Sequence, residues 1–498
     1  MSKLCVSLGR GRHKRMMAEH RYLAEEQGVQ LVELRVDCIR REVDVKRLLK
    51  DRACPCVFTC RREDDGGQWH GNEAARQTLL RTAIVEGVDY VDLEEDIAKD
   101  IPRFGKTQRI VSYHNFRETP SDIDLIHDRM TEMDPDIIKL ACMAHHPHDV
   151  VRMFRLMQAS EKPMIGICMG EIGIPTRILA GKFGAPFTFA AFEKDVQLAP
   201  GQIGYQDMRD IYRYEQINAD TEVYGVIADP VGHSMSPVVH NAAFHKLGMN
   251  KVYLPFRVLQ DHLAAFMQGA RELGLQGLSV TIPHKEDILQ FASDISPAVK
   301  GIGAANTLAF GEEKLAAHNT DYRAFIDSLM GAVRGEEDAG EQLKGERALV
   351  LGSGGVSKAV AYALKSRGAD VFIAGRTFDH TKKLAERLKC KAAQWYERYK
   401  IEPDILVNGT PVGMHPNVDE TPFEAVYLKP KMVIFDTVYN PERTLLVKEA
   451  REVGCRVVTG VDMFIGQAAL QFEHFTGQKA PVDLMRTELK RTIGPVKF

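Results

Sequence analysis

Ile110-Val111-Ser112-Tyr113-His114-Asn115 and Ile137-Ile138-Lys139 decide the fold of the first half of this chain. Each is a short apolar run ending in a residue that can move a proton or attack a carbonyl. Six other runs share the pattern: Leu4–Leu8, Leu31–Leu34, Cys56–Thr59, Tyr90–Leu93, Pro163–Ile167 and Pro186–Phe189. With Ile110–Ser112 and Ile137–Leu140 they make eight candidate strands. Segments with helical spacing lie between them, among them Ala74–Val85 and Val150–Met157. Strand and helix alternate to about residue 215, an order that implies parallel strands joined by crossover helices. Eight such units predict an α/β fold of the (β/α)8 TIM-barrel kind.

Glu33, Arg35, Arg61, Glu94, His114 and Lys139 fall at or just past the carboxyl ends of these runs, the face on which TIM barrels carry their chemistry. A lysine desolvated at the end of an apolar strand gives up its proton more readily and can attack a carbonyl. Lys139 is therefore a Schiff-base candidate. On position alone, a lysine snorkelling to solvent is the ordinary alternative. His114, on the preceding strand, weighs against it, because a neighbouring imidazole can move protons on an imine formed there.

The second half carries a different pattern. After a short linker near 215–221, Val223-Tyr224-Gly225-Val226-Ile227 opens a new strand, and further strands such as Gly277–Thr281 alternate with helices such as Pro237–Lys246. Arg347–Leu351 then runs into Gly352-Ser353-Gly354-Gly355 and the helical Val356–Arg367. Strand, glycine turn and helix N-terminus form a phosphate cradle. The next strand, Asp370–Ala374, ends in Gly375-Arg376-Thr377. An arginine there, where an NAD site carries a carboxylate, favours the extra phosphate of NADP. An exposed arginine after a strand is the alternative. Ser234 and Ser236 stand just before a helix, where serines can also simply cap it.

Composition narrows the function classes. The chain has 498 residues, 44% apolar and 27% charged, which predicts two to four domains and little disorder. A formal charge of -3 gives no reason to expect nucleic acid or an anionic membrane as partner. The local cluster Arg10, Arg12, Lys14 and Arg15 is expected to be a solvated loop and helix start. The N-terminus has no apolar signal run and no stretch reaches the ~20 apolar residues of a membrane span, so a cytoplasmic protein is expected. Nine scattered cysteines lack the spacing of a zinc site and are expected to be free thiols, without a metal.

The first 215 residues resemble the type I 3-dehydroquinate dehydratases through Glu33-Leu-Arg-Val-Asp37, Phe58-Thr-Cys-Arg61, Ser112-Tyr-His-Asn-Phe116, Ile138-Lys139, Pro175-Thr-Arg177 and Ala199-Pro-Gly-Gln202. The resemblance implies an imine between Lys139 and the substrate ketone, with His114 removing the adjacent proton and helping a hydroxyl leave as water. It implies Glu33, Arg35, Arg61, Arg177 and Gln202 as the substrate-binding set, Arg177 clamping the carboxylate. The stretch Phe192–Gln202 is expected to close over the substrate. Two positions depart from the family: Asp65 stands where glutamate is usual, and Leu198 where serine is common.

Residues 222–490 resemble shikimate dehydrogenase through His233-Ser-Met-Ser-Pro237, Ser279-Val-Thr-Ile-Pro-His-Lys285, Gly303-Ala-Ala-Asn-Thr307, Asn319-Thr-Asp321, Asn408-Gly-Thr410, Asp436-Thr-Val-Tyr-Asn-Pro441 and Gly466-Gln-Ala-Ala469. The resemblance implies Lys285 and Asp321 as the catalytic pair. Substrate would be bound by Ser234, Ser236, Thr281, Asn306, Tyr439 and Gln467, with Gln471 a further candidate. Gly352, Ser353, Gly354, Gly355, Val356, Arg376, Thr377, Asn408 and Thr410 would hold NADP(H). Gly375 replaces the usual asparagine, and Tyr322 a frequent glycine.

The two resemblances join, because the product of the first reaction, 3-dehydroshikimate, is the substrate of the second, which makes shikimate. The expected organisation is a TIM barrel over 1–217, a substrate-binding domain over 222–325, and a Rossmann NADP-binding domain over 326–498 whose C-terminal helices return to the substrate domain. Small-molecule substrates, no nucleic acid, no membrane, and a monomer or homodimer are expected. The competing expectations are a second half that makes quinate from 3-dehydroquinate, and a metabolite-binding regulator without turnover.

Overall fold

A computed structural model describes residues 2–193, 197–334 and 343–494. Two compact units emerge, Met1–Val223 with Asn250–Gly274, and Tyr224–Met249 with Leu275–Phe498.

The first unit is built on β1 (Lys3–Leu8), β2 (Leu31–Arg35), β3 (Cys56–Thr59), β4 (Tyr90–Glu94), β5 (Gln108–Asn115), β6 (Ile137–Met143), β7 (Met164–Met169) and β8 (Phe187–Ala191). They run in the order β7-β6-β5-β4-β3-β2-β1-β8, each neighbouring pair parallel. Hydrogen bonding is interrupted between β7 and β8, so the barrel is nearly closed.

Strand periodicity explains what fills it. Alternate residues point inward, and an apolar layer of Cys5, Leu31, Val57, Ile110, Ile137, Ile165 and Phe187 packs toward the amino-terminal end. Two residues further along β1, β2, β5 and β6 come Ser7, Glu33, Ser112 and Lys139, and Asp92 holds the matching place on β4, two residues past Tyr90. The apolar layer is the floor on which the polar layer stands.

The seam is bridged by backbone past the carboxyl ends of the strands. Gly170, after β7, donates its N–H to Pro200 O at 3.3 Å. A Cβ at Gly201 would lie 2.5 Å from Gly170 O, and φ there is +72°. Only glycine permits that approach. Residues 194–196 of the stretch expected to close over the substrate lie outside the described residues.

Asn250–Gly274, which the sequence assigned to the second half, groups with the barrel. The Arg155 guanidinium donates twice to Glu272, at 2.6 and 2.7 Å, and Arg257 pairs with Glu171 at 3.1 Å.

In the second unit, Glu222–Ala228 neighbours Leu275–Val280, which pairs antiparallel with Thr307–Phe310. A parallel six-stranded sheet follows, ordered 391–394, 370–375, 347–351, 405–408, 433–436, 456–458. That is the doubly wound order whose direction reverses beside the first strand, where ligands bind. Helix Gly460–Thr476 packs on helix Thr320–Arg334, and Val482–Ile493 on Ser236–Lys246.

The nine cysteines form no disulfide, and no metal-holding group of His, Cys, Asp or Glu occurs among the described residues. No described helix is long and apolar enough to cross a membrane. One expectation is corrected: Arg10 is not solvated. It is 8% exposed and bonds Glu19 at 2.5 Å and Glu193 at 2.8 Å, with its guanidinium over the Phe192 ring just past β8.

Candidate active sites

A cavity of about 510 Å³ opens at the carboxyl ends of the barrel strands, lined by Glu33, Arg35, Arg61, His114, Lys139, Arg177 and Gln202 among others. All seven expected residues of the first half thus meet in one place. Lys139, on β6, is buried, but not in the apolar setting expected of it. Its Nζ donates to Asp92 Oδ2 at 2.9 Å and lies 4.2 Å from the Phe189 ring. The correction follows from the strand period: Asp92 projects inward two residues before Glu94.

His114 Nδ1 is buried with no hydrogen-bond partner. Burial and then the Arg61 and Lys139 cations push its pKa well below the usual imidazole range. It is therefore neutral and able to accept a proton.

The three arginines differ in a way that decides what each can do. Arg35 is forked onto Asp37 at 3.0 and 2.8 Å. Arg61 donates to Glu94 at 2.8 Å and to Ser112 at 3.1 Å; its Nη2 lies 2.7 Å from Asp92 as an ion pair, off the N–H direction. Among the described residues no carboxylate pairs with Arg177. It is 2% exposed, its Nη2 donates to Pro200 O at 3.2 Å and its Nε is unsatisfied. Burial alone brings its pKa down to about 10. A buried guanidinium without a counter-ion is a site prepared for an anion.

Glu33 accepts from Ser7 at 2.6 Å and from Thr59 at 2.9 Å, and Gln202 Nε2 donates to Ser7 Oγ at 3.3 Å. Both departures touch this cavity. The Asp65 carboxylate is engaged by Arg62. Leu198 fills the space a Cβ on Gly9 would take, its Cδ2 2.8 Å from that position.

The second unit holds a larger cavity, about 1240 Å³, lined by Ser234, Ser236, Thr281, Lys285, Asn306, Asp321, Tyr439, Gln467 and Gln471 among others. Lys285 Nζ donates to Asp321 Oδ2 at 2.6 Å, and both residues are buried. A Cβ on Gly355 would lie 2.9 Å from Lys285 Cδ, so the glycine turn lets the lysine stem pass close to the helix start. That contact brings the expected proton donor beside the expected cofactor turn.

Several of the remaining residues are engaged with one another or with their own unit. Asn306 accepts from Thr320 N at 2.8 Å and donates to Thr320 Oγ1 at 2.9 Å, so it also anchors the helix that carries Asp321. Gln471 accepts from Ser279 Oγ at 2.7 Å and donates to Asn306 O at 3.0 Å. Ser234 Oγ accepts from Ser236 N at 3.3 Å. Gln467 donates to Phe464 O at 3.0 Å, and the Tyr439 ring packs on Phe464.

The cofactor turn fits a dinucleotide. Gly352 has φ +103°, and a Cβ there would lie 3.0 Å from Gly409 O. Gly354 and Gly355 start the helix Gly355–Ser366 with no side chain capping its N–H groups, which leaves those donors for a phosphate. Ser353 and Val356 flank them. Arg376 and Thr377 are exposed at the end of the second strand. Asn408 differs. Its side chain is buried, donating to Val412 O and Asp436 and accepting from Thr410 N and Oγ1, so it shapes the loop rather than facing a ligand. Gly375 is explained by space: a Cβ there would lie 2.4 Å from Thr381 Oγ1. Tyr322 packs its ring on Tyr362.

Sequence reasoning missed Asp92 and Ser112. The signal was present in Tyr90-Val-Asp-Leu-Glu94, whose period of two puts Asp92 on the inward face with Glu94.

Residues 4–219 match the family described as Type I 3-dehydroquinase. Residues 226–308 match the shikimate dehydrogenase substrate binding domain, 335–436 the Shikimate / quinate 5-dehydrogenase family, and 460–490 the shikimate 5'-dehydrogenase C-terminal domain. A bifunctional 3-dehydroquinate dehydratase/shikimate dehydrogenase of Arabidopsis thaliana, named as chloroplastic, is 39% identical over 483 residues, 93% of this chain and 80% of that one. A shikimate dehydrogenase (NADP(+)) of Methanopyrus kandleri is 41% identical over 54% of this chain and 95% of its own. A shikimate dehydrogenase crystallised with NADP+ superposes with a TM-score of 0.51 at 35% identity, covering 56% of this chain and 98% of that one.

Proposed function

The chain belongs to the bifunctional 3-dehydroquinate dehydratase/shikimate dehydrogenase family, and from that premise we propose which of its residues carry each reaction. It is an enzyme of the shikimate pathway with a lyase half and an NADP-linked oxidoreductase half.

In the barrel, Lys139 Nζ attacks the ketone carbon of 3-dehydroquinate, and the ketone oxygen leaves as water. The iminium withdraws electrons from the adjacent carbon, and neutral His114 takes its proton. The C–H electron pair becomes the new C=C as the neighbouring hydroxyl leaves, protonated by His114. Water hydrolyses the imine, releasing 3-dehydroshikimate and Lys139. Arg177 binds the carboxylate; Glu33, Arg35, Arg61 and Gln202 hold the ring hydroxyls and one another.

In the second unit, Gly352, Ser353, Gly354, Gly355 and Val356 hold the pyrophosphate of NADPH. Arg376 and Thr377 read its additional phosphate, and Asn408 and Thr410 shape the facing loop. When bound, the nicotinamide supplies hydride to the ring carbon. Lys285 delivers the proton to the reacting oxygen, oriented by Asp321. Ser234, Ser236, Thr281, Asn306, Tyr439 and Gln467 bind the carboxylate and hydroxyls of shikimate. The functional boundaries proposed are 1–217, 222–325 and 326–498, and neither reaction calls for a metal. A cytoplasmic site of action, and a monomer or homodimer, are proposals that fractionation and light scattering test.

The observation that carries the reading is the buried Arg177, without a carboxylate partner among the described residues, in the same cavity as Lys139. The test is product analysis by mass spectrometry after incubation with 3-dehydroquinate and NADPH. Shikimate is expected. Dehydroshikimate alone refutes the reductase assignment, quinate refutes its substrate, and unchanged substrate refutes both halves.

A further inference from the structure

Asp92 has no part in the steps above, yet it meets three polar side chains in the barrel. It is 2% exposed, accepts from Lys139 Nζ at 2.9 Å and from Ser112 Oγ at 2.6 Å, and lies 2.7 Å from Arg61 Nη2. We propose that Asp92 is the fixed counter-ion of the Lys139 nitrogen, holding it as ammonium before the reaction and as iminium during it. The proposal rests on the imine reading of Lys139.

Charge balance makes the case. An alkylammonium and a ketone give an iminium and water, one positive charge on each side. The lysine nitrogen therefore begins and ends imine formation as a cation, passing through the neutral amine only while it attacks. A carboxylate fixed beside it serves both states without moving, which is the preorganised electrostatics that active sites exploit. The iminium must keep its proton, because a neutral imine is a poor electron sink for the C–H bond that breaks next.

The neighbours leave this task to Asp92. Glu33 is tied to Ser7 and Thr59. Glu94 is tied to Arg61 and to Arg76, at 2.6 Å. His114 is neutral and serves as the base. Arg35 is a cation, and Cys5 a thiol whose pKa burial pushes up. Among the described residues, Asp92 is the carboxylate that pairs with Lys139. Arg61 and Lys139 in turn hold Asp92 ionised, far below the usual carboxylate range despite its burial, so it does not take the proton that His114 handles.

The test compares Asp92→Asn, which keeps the shape and removes the charge, with Asp92→Glu, which keeps the charge and alters the shape. Folding is checked by circular dichroism. Three readouts are taken on the full chain: kcat for dehydration, its pH profile, and mass-spectrometric labelling of the Lys139 peptide by borohydride with 3-dehydroquinate, since borohydride reduces iminium faster than imine. For Asp92→Asn, kcat is expected to fall roughly 100-fold or more. The alkaline limb is expected to move down by about one pH unit or more, and labelling near pH 8 to drop. Asp92→Glu is expected to lose kcat while keeping the wild-type limb and labelling. If Asp92→Asn does not fold, Asp92→Glu decides alone, and a displaced limb overturns the proposal. An unmoved limb and full labelling in folded Asp92→Asn overturn it while leaving the imine standing. Absence of label in the wild type overturns the imine and the proposal with it.

Discussion

Replacing Arg177 by methionine is expected to stabilise the barrel and sharply reduce its dehydratase activity. Burial brings the pKa of this guanidinium well below its ordinary value, down to about 10, which corresponds to about 3 kcal/mol of folding free energy spent on keeping the charge in the interior. Because the folded pKa still lies above neutrality, that cost is present at every pH below about 10. Methionine fills much of the volume without the charge. It loses the hydrogen bond to Pro200 O, worth about 1 kcal/mol. The net gain is about 2 kcal/mol, or roughly 4–8 °C in the melting temperature of a unit this size. The substrate carboxylate loses its charged partner, so kcat/KM is expected to fall roughly 10²–10³-fold. Thermal melts followed by circular dichroism give the first quantity, and the ultraviolet absorbance of the conjugated product gives the second. The melts also carry an internal control, since a substrate analogue bearing a carboxylate should raise the wild-type transition and leave the variant unmoved. A variant that melts lower than wild type, or keeps its activity, refutes the argument that Arg177 waits for an anion.

Asp321→Asn is expected to cut shikimate oxidation roughly 10²–10⁴-fold by uncoupling Lys285 from its partner at 2.6 Å, while dehydration of 3-dehydroquinate stays at the wild-type rate; parallel assays of one preparation check both. Gly375→Asn, which restores the residue common in the family, is expected to destabilise the second unit by about 1–3 kcal/mol, because its Cβ meets Thr381 Oγ1. Thr381→Ala in the same chain should recover most of that loss in urea unfolding. His240 is fully buried and its pKa falls to about 3 through desolvation. The unfolded imidazole binds a proton below 6.5 and the folded one does not, so its contribution is complete above pH 6.5 and is lost as pH falls toward 3. By pH 5 the loss is about 2 kcal/mol, measurable as a pH-dependent urea midpoint that is flatter in His240→Gln.

Much of this molecule was legible along the chain, and the reason is locality. Strand periodicity, helix spacing and the glycine turn at 352–355 arise from neighbouring residues, so the eight strands and the later phosphate cradle could be read directly. Motif residues at strand ends were legible for the same reason: a carboxyl-terminal position on a barrel strand already implies the catalytic face. What stayed hidden depends on partners far away in sequence. Arg35, Arg61 and Arg177 look alike as letters. Only the folded barrel reveals that Asp37, Asp92 and Glu94 neutralise the first two and that no carboxylate among the described residues neutralises the third. Lys139 ends an apolar strand as expected, but its charge is balanced by Asp92, 47 positions earlier. Asn408 sits in a motif that suggests a ligand, whereas its amide is consumed within its own loop and by Asp436. Residues 250–274 lie within the second half in sequence and group with the first in space. Local pattern determined where the strands and reactive side chains lie. Burial and long-range pairing decided which of those side chains remain free to meet a substrate, because the energy of a buried charge is set by whatever else the fold brings within a few ångströms.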